Sequence, residues 1–549
     1  MNRILSRSYL FLCLLLFPIF SQETLPPYHW AYQYIDYLKV QGYFPDLPMN
    51  NRPFSREQLA MQLLKVNWER LNQNPVEKGM VEQLYHEFLP EMRELGKQKK
   101  GEWKDLLEEA LSLLGFPELK EIRQPSLQLG VFSDMGLEDR GKEEKPQGRG
   151  EWHSRFVMNW KNRITLYNNF KVFNRAPENY IGKEYRGMFG YVEQGYIGWR
   201  SRWIQAKFGR DFLQIGPGRS GQLLMSDNSR PFDMYFLRVG NDVFNFRFWG
   251  IMLDRRSVRI NEQRPPEFAN RYLNGHRFSV NFRNRVFLGV SEVILYGGPG
   301  MGWEMGFMNP FTIYYMHNVN VEPGVSAGNV LLNLDWDAYI APGVEFYGEF
   351  LLDDFQIDRQ QPADLEPNEL GLIAGVKWAN PFRVKKTILS LEYIQVRNRT
   401  YNVLRNEWEK YLHRNEEIGY AFGNNLERIE SNLSYWVSPG MNVQLFANLH
   451  RQGEGSVEGE FNTDYLNYTI EEGYDEPFPF GIVERQLQLG LSLFFKPHPL
   501  THIRLETSWN DYSNYQHQTG VSHQEFIFRF SLWLQWNAFV EGGKWFKME

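Results

Sequence analysis

Residues 486–495 read QLQLGLSLFF, and this stretch decides what kind of protein the chain forms. Leucine or phenylalanine stands at every odd position from 487 to 495, whereas the even positions carry glutamine, glycine, serine and one phenylalanine. Because successive side chains of a β-strand point to opposite faces of a sheet, this alternation predicts a strand with one apolar and one mainly polar face.

The same period of two continues through the chain from about residue 125 onward. It is clearest in 344–353 (VEFYGEFLLD), 443–450 (VQLFANLH) and 525–534 (EFIFRFSLWL). Short turns at 161–162, 284, 342–343 and 439–440 alternate with long polar stretches at 174–186, 254–271, 354–369, 398–427 and 452–483. Short turns at one end and long loops at the other are typical of outer-membrane barrels, which favour even strand numbers. The fold class predicted is mainly β: a closed antiparallel transmembrane β-barrel of about 18 strands.

Strand length and aromatic placement favour this barrel over a soluble β-sandwich or propeller. Strands of about ten residues suit a tilted crossing of the bilayer. Tryptophans recur near strand ends, where an interfacial girdle would hold them: Trp152, Trp160, Trp199, Trp203, Trp336, Trp378, Trp436, Trp509, Trp536 and Trp545. We expect the first strand at 127–132, followed by a charged, glycine-rich loop at 136–150.

The N-terminus predicts export across the inner membrane. Arg3 and Arg7 precede the apolar run 9–20 (YLFLCLLLFPIF), which together are typical of a secretory signal peptide over residues 1–22. Cys13 is the one cysteine and lies in this run, so disulfides and thiolate chemistry are excluded from the mature chain. Removing Arg3 and Arg7 takes the formal net charge from −6 to −8, which does not favour nucleic acid as a partner. We predict a Gram-negative outer-membrane protein, monomeric, in contact with membrane lipid and lipopolysaccharide.

Residues 23–120 are expected to form a helical domain on the periplasmic side of a barrel that spans 121–549. Apolar side chains recur at helical spacing in 30–38, 59–66, 80–88 and 103–114, and 55–58 (SREQ) has the pattern of a capping box. Residues 29–66 resemble an S-layer homology motif in HWA at 29–31, GYF at 42–44 and FSRE at 54–57. That resemblance implies binding to peptidoglycan or another wall polymer; the alternative is a small bundle that packs on the barrel.

A glycine-rich segment at 216–221, GPGRSG, matches the dinucleotide fingerprint G-x-G-x-x-G. That fingerprint needs a helix to follow it, so that the helix N-terminus meets the pyrophosphate. The following residues QLLMSDNSRP, at 222–231, are too short and broken for such a helix. Nucleotide binding is therefore not expected, and no cofactor is predicted.

The wider segment 208–239 is similar to the signature region of the Wzi-like capsule assembly family. Residues 309–320 (NPFTIYYMHNVN) and 329–355 add to the resemblance, which extends over about 125–549. The resemblance implies an outer-membrane barrel that binds or organises capsular or extracellular polysaccharide at the cell surface, as a lectin does. Two alternatives stay open: a porin-type channel tethered to the wall by its N-terminal domain, and an outer-membrane hydrolase.

Basic residues outnumber acidic ones about two to one between 200 and 285. Arginine forks suit the carboxylates of acidic sugars, and neighbouring aromatic rings can stack on sugar rings. The same arginines can instead pair with lumen acids and fill the barrel. Residues proposed for polysaccharide binding are Arg210, Asp211, Arg219, Asn228, Arg230, Asp233, Arg238 and Arg247.

Catalytic and metal-binding patterns find little support in the sequence. Glu345, Glu349, Asp353 and Asp354 offer carboxylates, but their spacing along a strand does not by itself give hydrolase geometry. The histidines do not have the spacing of metal ligands, and no serine stands in a G-x-S-x-G elbow. We predict neither a catalytic residue nor a metal ligand.

Overall fold

The structure is a computed structural model that describes residues 23–98, 126–141, 145–160, 164–177, 180–201, 203–258, 265–320, 328–356, 360–541 and 544–547. The signal segment 1–22 and the expected helix at 103–114 lie outside the described residues. Among the helices that are described, none combines the length and apolar character needed to cross a bilayer.

Eighteen antiparallel strands form a closed barrel, as predicted. Each strand pairs with the next along the chain, and the first strand closes the barrel by pairing with the last, from Ser126 with Glu541 to Asp139 with Phe528. The strands are β1 Ser126–Asp139, β2 Gln147–Trp160, β3 Ile164–Phe173, β4 Phe189–Arg200, β5 Ile204–Asp211, β6 Phe232–Gly240, β7 Phe244–Met252, β8 Glu267–Phe282, β9 Val286–Pro299, β10 Asn329–Ala341, β11 Val344–Asp354, β12 Glu369–Ala379, β13 Thr387–Val396, β14 Leu426–Ser438, β15 Met441–Gln452, β16 Glu484–His498, β17 Thr501–Ser513 and β18 Ser522–Glu541.

Two strand boundaries differ from those expected. The glycine-rich segment 136–150 is not a loop: β1 and β2 run through it, with Glu138 opposite Gln147, and only 140–146 connect them. Likewise β8 begins inside the expected loop 254–271. Charge and glycine content did not mark the ends of these strands, because the exposed Leu137 of β1 and Phe268 of β8 continue the apolar alternation into both segments.

Alternation along the strands produces the predicted apolar outer face. Leu489, Leu491 and Phe495 are exposed on the outside, whereas Phe494 is buried inside. Exposed tryptophans include Trp152, Trp160, Trp203, Trp378, Trp509 and Trp536. The expectation was wrong for Trp436, which is 1% exposed and faces the N-terminal helices. In β14 the residues on either side of it, Tyr435 and Val437, are exposed on the outer face. The alternation of side chains along the strand therefore points Trp436 inward.

In the described residues before the barrel, four helices form: α1 Ala31–Val40, α2 Arg56–Leu64, α3 Trp68–Asn72 and α4 Pro75–Gln98. The Ser55 hydroxyl caps α2 by accepting a hydrogen bond from the Gln58 amide at 3.2 Å. The expected apolar positions of α1, α2 and α4 are buried in one core.

Residues 23–98, named here the head, cover the short-turn end of the barrel. In outer-membrane barrels the short turns face the periplasm. Trp436 of β14 and Phe494 of β16 belong to the head core, and the Tyr34 ring lies 5.2 Å from that of Trp436. The Tyr34 hydroxyl donates to the Pro439 carbonyl at 2.8 Å, and a side chain at Gly79 would collide with Pro439. The head and the barrel therefore share one continuous packed core.

A buried charge cluster holds the head together. The Arg56 guanidinium bonds the carboxylates of Glu87 at 2.6 Å and Glu91 at 2.8 Å, and His29 lies 3.5 Å from Glu87. Burial alone would raise the pKa of Glu87, but Arg56 and the hydrogen bond from His29 outweigh it and hold that pKa well below its ordinary value.

We expect the head to lose stability in acid through Glu87. Because the pKa of Glu87 is depressed in the folded state, its contribution is complete above the ordinary glutamate pKa of about 4.3 and is lost as the pH falls below it, at up to about 1.4 kcal/mol per pH unit. Thermal melts of wild type and E87Q at pH 7, 5 and 3.5 measure this. The wild type should lose more stability than E87Q between pH 5 and 3.5; parallel losses would contradict the assignment.

Residues 300–320 fold over the outside of the barrel wall. The short helix α5, Tyr314–Asn318, begins with the amides of Tyr314 and Tyr315 donating to Glu292 at 2.9 and 2.8 Å. Glu292 pairs with His276 at 3.2 Å. Both side chains point outward, on the same face of their strands as the exposed Phe278 and Val290 two positions away. This flap therefore covers polar side chains that would otherwise face lipid.

Candidate functional site

The glycine-rich segment 216–221 lies inside the barrel. The connection 212–231 between β5 and β6, named here the lumen loop, folds inward, and most of it is buried. The amides of Gly218 and Leu223 donate to the two oxygens of Glu349 at 2.9 Å each. The amides of Arg219 and Ser220 donate to Glu392 at 2.9 and 3.0 Å. In a dinucleotide-binding fold the amides of this motif would bind phosphate. In this chain they bind carboxylates of the barrel wall.

Glycine is required where the lumen loop meets that wall. Gly216 has φ +120°, which side chains rarely adopt, and a Cβ there would collide with the Glu349 carboxylate. A Cβ at Gly218 would collide with the Gly221 carbonyl. The glycines of this motif therefore allow the backbone of the lumen loop to lie against the barrel wall and against itself.

Arg219 links the lumen loop to the head and to the wall. Its guanidinium bonds Asp36 of α1 at 3.0 Å and Glu345 of β11, and lies over the Tyr347 ring at 5.3 Å. A second buried arginine, Arg277 of β8, pairs with Asp335 of β10 and bonds Asn51 of the head at 2.9 Å. Ion pairs therefore join the head, the loop and the wall, and the Arg277–Asp335 pair is fully buried.

From the long-loop end, the connection 397–425 packs down on the lumen loop. The hydroxyls of Tyr401 and Tyr411 donate to the carbonyls of Leu223 and Leu224 at 2.6 and 2.8 Å, and the Ser226 amide donates to the Ile418 carbonyl at 2.9 Å. These contacts are buried in one apolar cluster. On this side, the described residues fill the lumen.

A cleft of about 490 Å³ remains on the other side of the lumen, between β1–β3 and β17–β18. The rings of His153, His502 and Trp533 line it, and the His502 ring lies 5.4 Å from that of Trp533. The Phe132 ring stacks against His153 at 4.3 Å and Trp533 at 4.8 Å. Tyr28 and Trp30 of the head also line the cleft. Its charged groups are Arg149, Lys171, Arg175, Arg504 and Arg529, and Asp134, Glu138, Glu151 and Glu506.

A basic and aromatic cluster lies beside this cleft at the long-loop end. The Arg230 guanidinium lies over the rings of Tyr180 at 4.0 Å and Tyr191 at 5.0 Å. Tyr191 is the cross-strand partner of Lys171, which lines the cleft. Burial and the neighbouring guanidiniums of Arg230 and Arg210 lower the pKa of Arg414, since three guanidiniums lie close together here. We call Tyr180, Tyr191, Arg210, Arg230 and Arg414 the outer cluster.

The structure separates the eight candidate residues into three groups. Arg210 and Asp233 form a two-bond ion pair at 2.9 and 2.5 Å in the long-loop region, where Asn228 and Arg230 also lie. Asp211 is fully buried and accepts from Thr24 at 2.8 Å, Gln194 at 2.7 Å and Lys207, and Arg219 is held as described.

Arg238 and Arg247 form the third group, near the short turn between β6 and β7. There they line a cavity beside the head. The outer cluster and these two arginines therefore lie at opposite ends of the barrel.

Several residues that shape the interior were not singled out from the sequence for these roles. Glu345 and Glu349 were considered only as a possible acid and base, yet they bind Arg219 and backbone amides. Asp353 accepts from the Tyr401 amide at 2.6 Å. Their inward strand positions were visible in the sequence, but their partners come from distant loops. Among the described residues, no group of three or more His, Cys, Asp or Glu side chains is arranged to hold a metal ion.

A closed antiparallel barrel of eighteen strands, apolar outside and polar inside, defines an outer-membrane β-barrel. Its interior is occupied by its own chain on one side and retains a cleft on the other. This chain belongs to the Wzi capsule assembly family: residues 131–525 match the family model described as capsule assembly protein Wzi.

A solved structure shows the same architecture. Escherichia coli Wzi, described as an outer-membrane protein involved in group 1 capsule assembly and as a carbohydrate-binding β-barrel, matches with a TM-score of 0.56 at 13% identity, over 93% of this chain and 99% of that one. Pseudomonas aeruginosa OccD3 matches with a TM-score of 0.44 at 10% identity, over 76% of this chain and 92% of that one. No curated protein matches the sequence significantly.

Proposed function

We propose that this protein binds an acidic surface polysaccharide at the long-loop end of the barrel and holds it outside the cell. The observation that carries the proposal is the outer cluster, in which the Arg230 guanidinium lies against Tyr180 and Tyr191 beside the aromatic-lined cleft. Arginine provides paired donors for a uronate carboxylate, and exposed ring faces stack on sugar rings. Family membership and the carbohydrate binding described for Escherichia coli Wzi support the same conclusion.

Of the eight candidate residues, we propose that Arg210, Asn228, Arg230 and Asp233 contact the polymer. Asp211 and Arg219 are committed to buried internal partners. The surrounding partners proposed are outer-membrane lipid and lipopolysaccharide, with the protein acting as a monomer. Binding of a wall polymer by 29–66 stays a prediction from its resemblance to the S-layer homology motif.

The partly filled lumen, occupied on one side by the chain itself, favours binding over transport. A wall-tethered porin would show stable open steps in planar bilayers, whereas a barrel whose interior is occupied by head, lumen loop and outer loops is expected to stay silent. Nor do we propose an enzyme, since the interior carboxylates considered for catalysis bind amides and arginine.

Replacing Arg210 and Arg230 together with alanine is expected to weaken binding of a uronate-containing polysaccharide by about 10-fold or more, because two charge-assisted contacts are lost. Affinity electrophoresis of the detergent-solubilised protein measures retention, with neutral dextran as the comparison polymer. Retention by wild type should fall as salt rises.

Arg451→Ala is the matched control. Arg451 also stands at the long-loop end of a strand and pairs with Glu427 at 2.5 Å, but it belongs to β15, away from the outer cluster. The control should bind like wild type. Equal retention by R210A/R230A and wild type would overturn the proposed contact surface.

A further inference from the structure

A second polar cavity lies at the opposite end of the barrel, between the head and strands β5–β9. It measures about 60 Å³ and is lined on one side by head residues 48, 50–53, 55 and 58. By the same measure one water needs roughly 10–15 Å³. The cavity therefore has room for a small ion with its hydration.

Two arginines line this cavity as direct neighbours. Arg238 of β6 stands opposite Arg247 of β7 in the strand register, and like charges placed opposite one another destabilise a sheet. On its other side Arg247 stands opposite Arg277 of β8. Three arginines thus occupy adjacent positions across three strands.

Nearby carboxylates neutralise other cations in preference to this pair. Arg277 is held by Asp335, Lys207 by Asp211, Arg52 by Asp36 at 3.2 Å, and Arg200 lies 3.6 Å from Glu57. Arg238 has Asp242 at 3.8 Å, and the Asp242 side chain is 66% exposed. In the described part of the chain, Arg247 has no carboxylate at ion-pair distance, and its side chain donates only to Asn245, at 3.3 Å.

We propose that this cavity binds a tetrahedral oxyanion, a phosphate or sulfate group, between Arg238 and Arg247. Planar guanidinium forks bind such groups through paired hydrogen bonds. Amide side chains of Asn245, Gln205 and Gln58 also line the cavity and offer further donors. A bound anion would neutralise the arginine pair and, because the head forms one wall, would strengthen the seating of the head. This inference does not rest on the proposed polysaccharide binding, which concerns the other end of the barrel.

The test measures anion binding to the full-length mature protein in detergent. Thermal melts and titration calorimetry compare inorganic phosphate, sulfate and glycerol phosphate against chloride at equal ionic strength. Wild type should melt at higher temperature with phosphate or sulfate. A response to glycerol phosphate as well would point to a phosphate ester as the ligand, and a response to the free ions alone to inorganic anion.

Arg247→Gln should weaken phosphate binding about 10-fold or more, Arg238→Gln should weaken it as well, and Arg247→Lys should retain part of the affinity. In chloride alone R247Q should be no less stable than wild type, because a like-charge contact is relieved; a purely structural arginine would not give that result. Arg451→Gln, far from the cavity, should respond like wild type. Absence of any response in wild type, or an equal response in R247Q, would overturn the proposal.

Discussion

Replacing Arg277 with methionine is expected to destabilise the folded barrel by about 3–5 kcal/mol, the cost of leaving a buried charge without its partner. Arg277 and Asp335 are both fully buried, and the Arg277 Nη2 donates to an Asp335 oxygen at 2.9 Å. Arg277 also donates to the Ser291 hydroxyl at 2.9 Å and the Asn50 carbonyl at 3.3 Å. Without the Arg277 guanidinium, Asp335 keeps one neutral donor, the side-chain amide of Asn50 at 2.7 Å.

Urea unfolding in detergent, followed by the heat-modifiable mobility of the folded barrel, measures this effect. The double variant R277M/D335L should recover much of the lost stability, since a buried ion pair replaced by apolar side chains is often neutral. If R277M unfolds at the urea concentration of wild type, the pair does not hold the head segment to the wall.

Replacing Gly216 with valine is expected to expel the lumen loop from the barrel wall. The positive φ of Gly216 costs a side chain about 1–3 kcal/mol, and the collision with Glu349 adds about 1–3 kcal/mol of overpacking. Because the amides of Gly218 and Leu223 then lose their acceptor, the loop should leave the lumen as a unit.

Trypsin reports that movement directly. Arg219 lies in the lumen loop with its side chain 13% exposed, so wild type should resist cleavage there and G216V should be cut. Gly520→Val is the matched control, because Gly520 has φ +78° but nothing within 4 Å of an added Cβ. Protection of Arg219 in G216V equal to that in G520V would contradict the role given to Gly216.

The barrel itself was predictable because a bilayer imposes a simple rule on sequence. Every second side chain of a spanning strand must be apolar, so period two, turn length and strand number follow from local patterns. Trp436 shows the limit of cruder signals: its position near a strand end suggested the girdle, whereas its parity placed it inside. The flap at 300–320 shows another limit, since the outward His276 and Glu292 break the apolar pattern and are covered by residues from elsewhere.

What the sequence determined by itself is therefore the class of protein: an outer-membrane chain of alternating strands that closes into a barrel, with an N-terminal helical segment. Only the tertiary structure decided which charges face one another. Glu349 binds amides 126 and 131 residues away, Arg219 reaches Asp36 across 183 residues, and Arg247 stands beside Arg238 with no carboxylate at ion-pair distance in the described chain. The alternation of period two shows that a side chain points inward. The partner of that side chain is set by barrel closure and by loops that fold into the lumen. Barrel closure and loop placement leave no local pattern in the sequence.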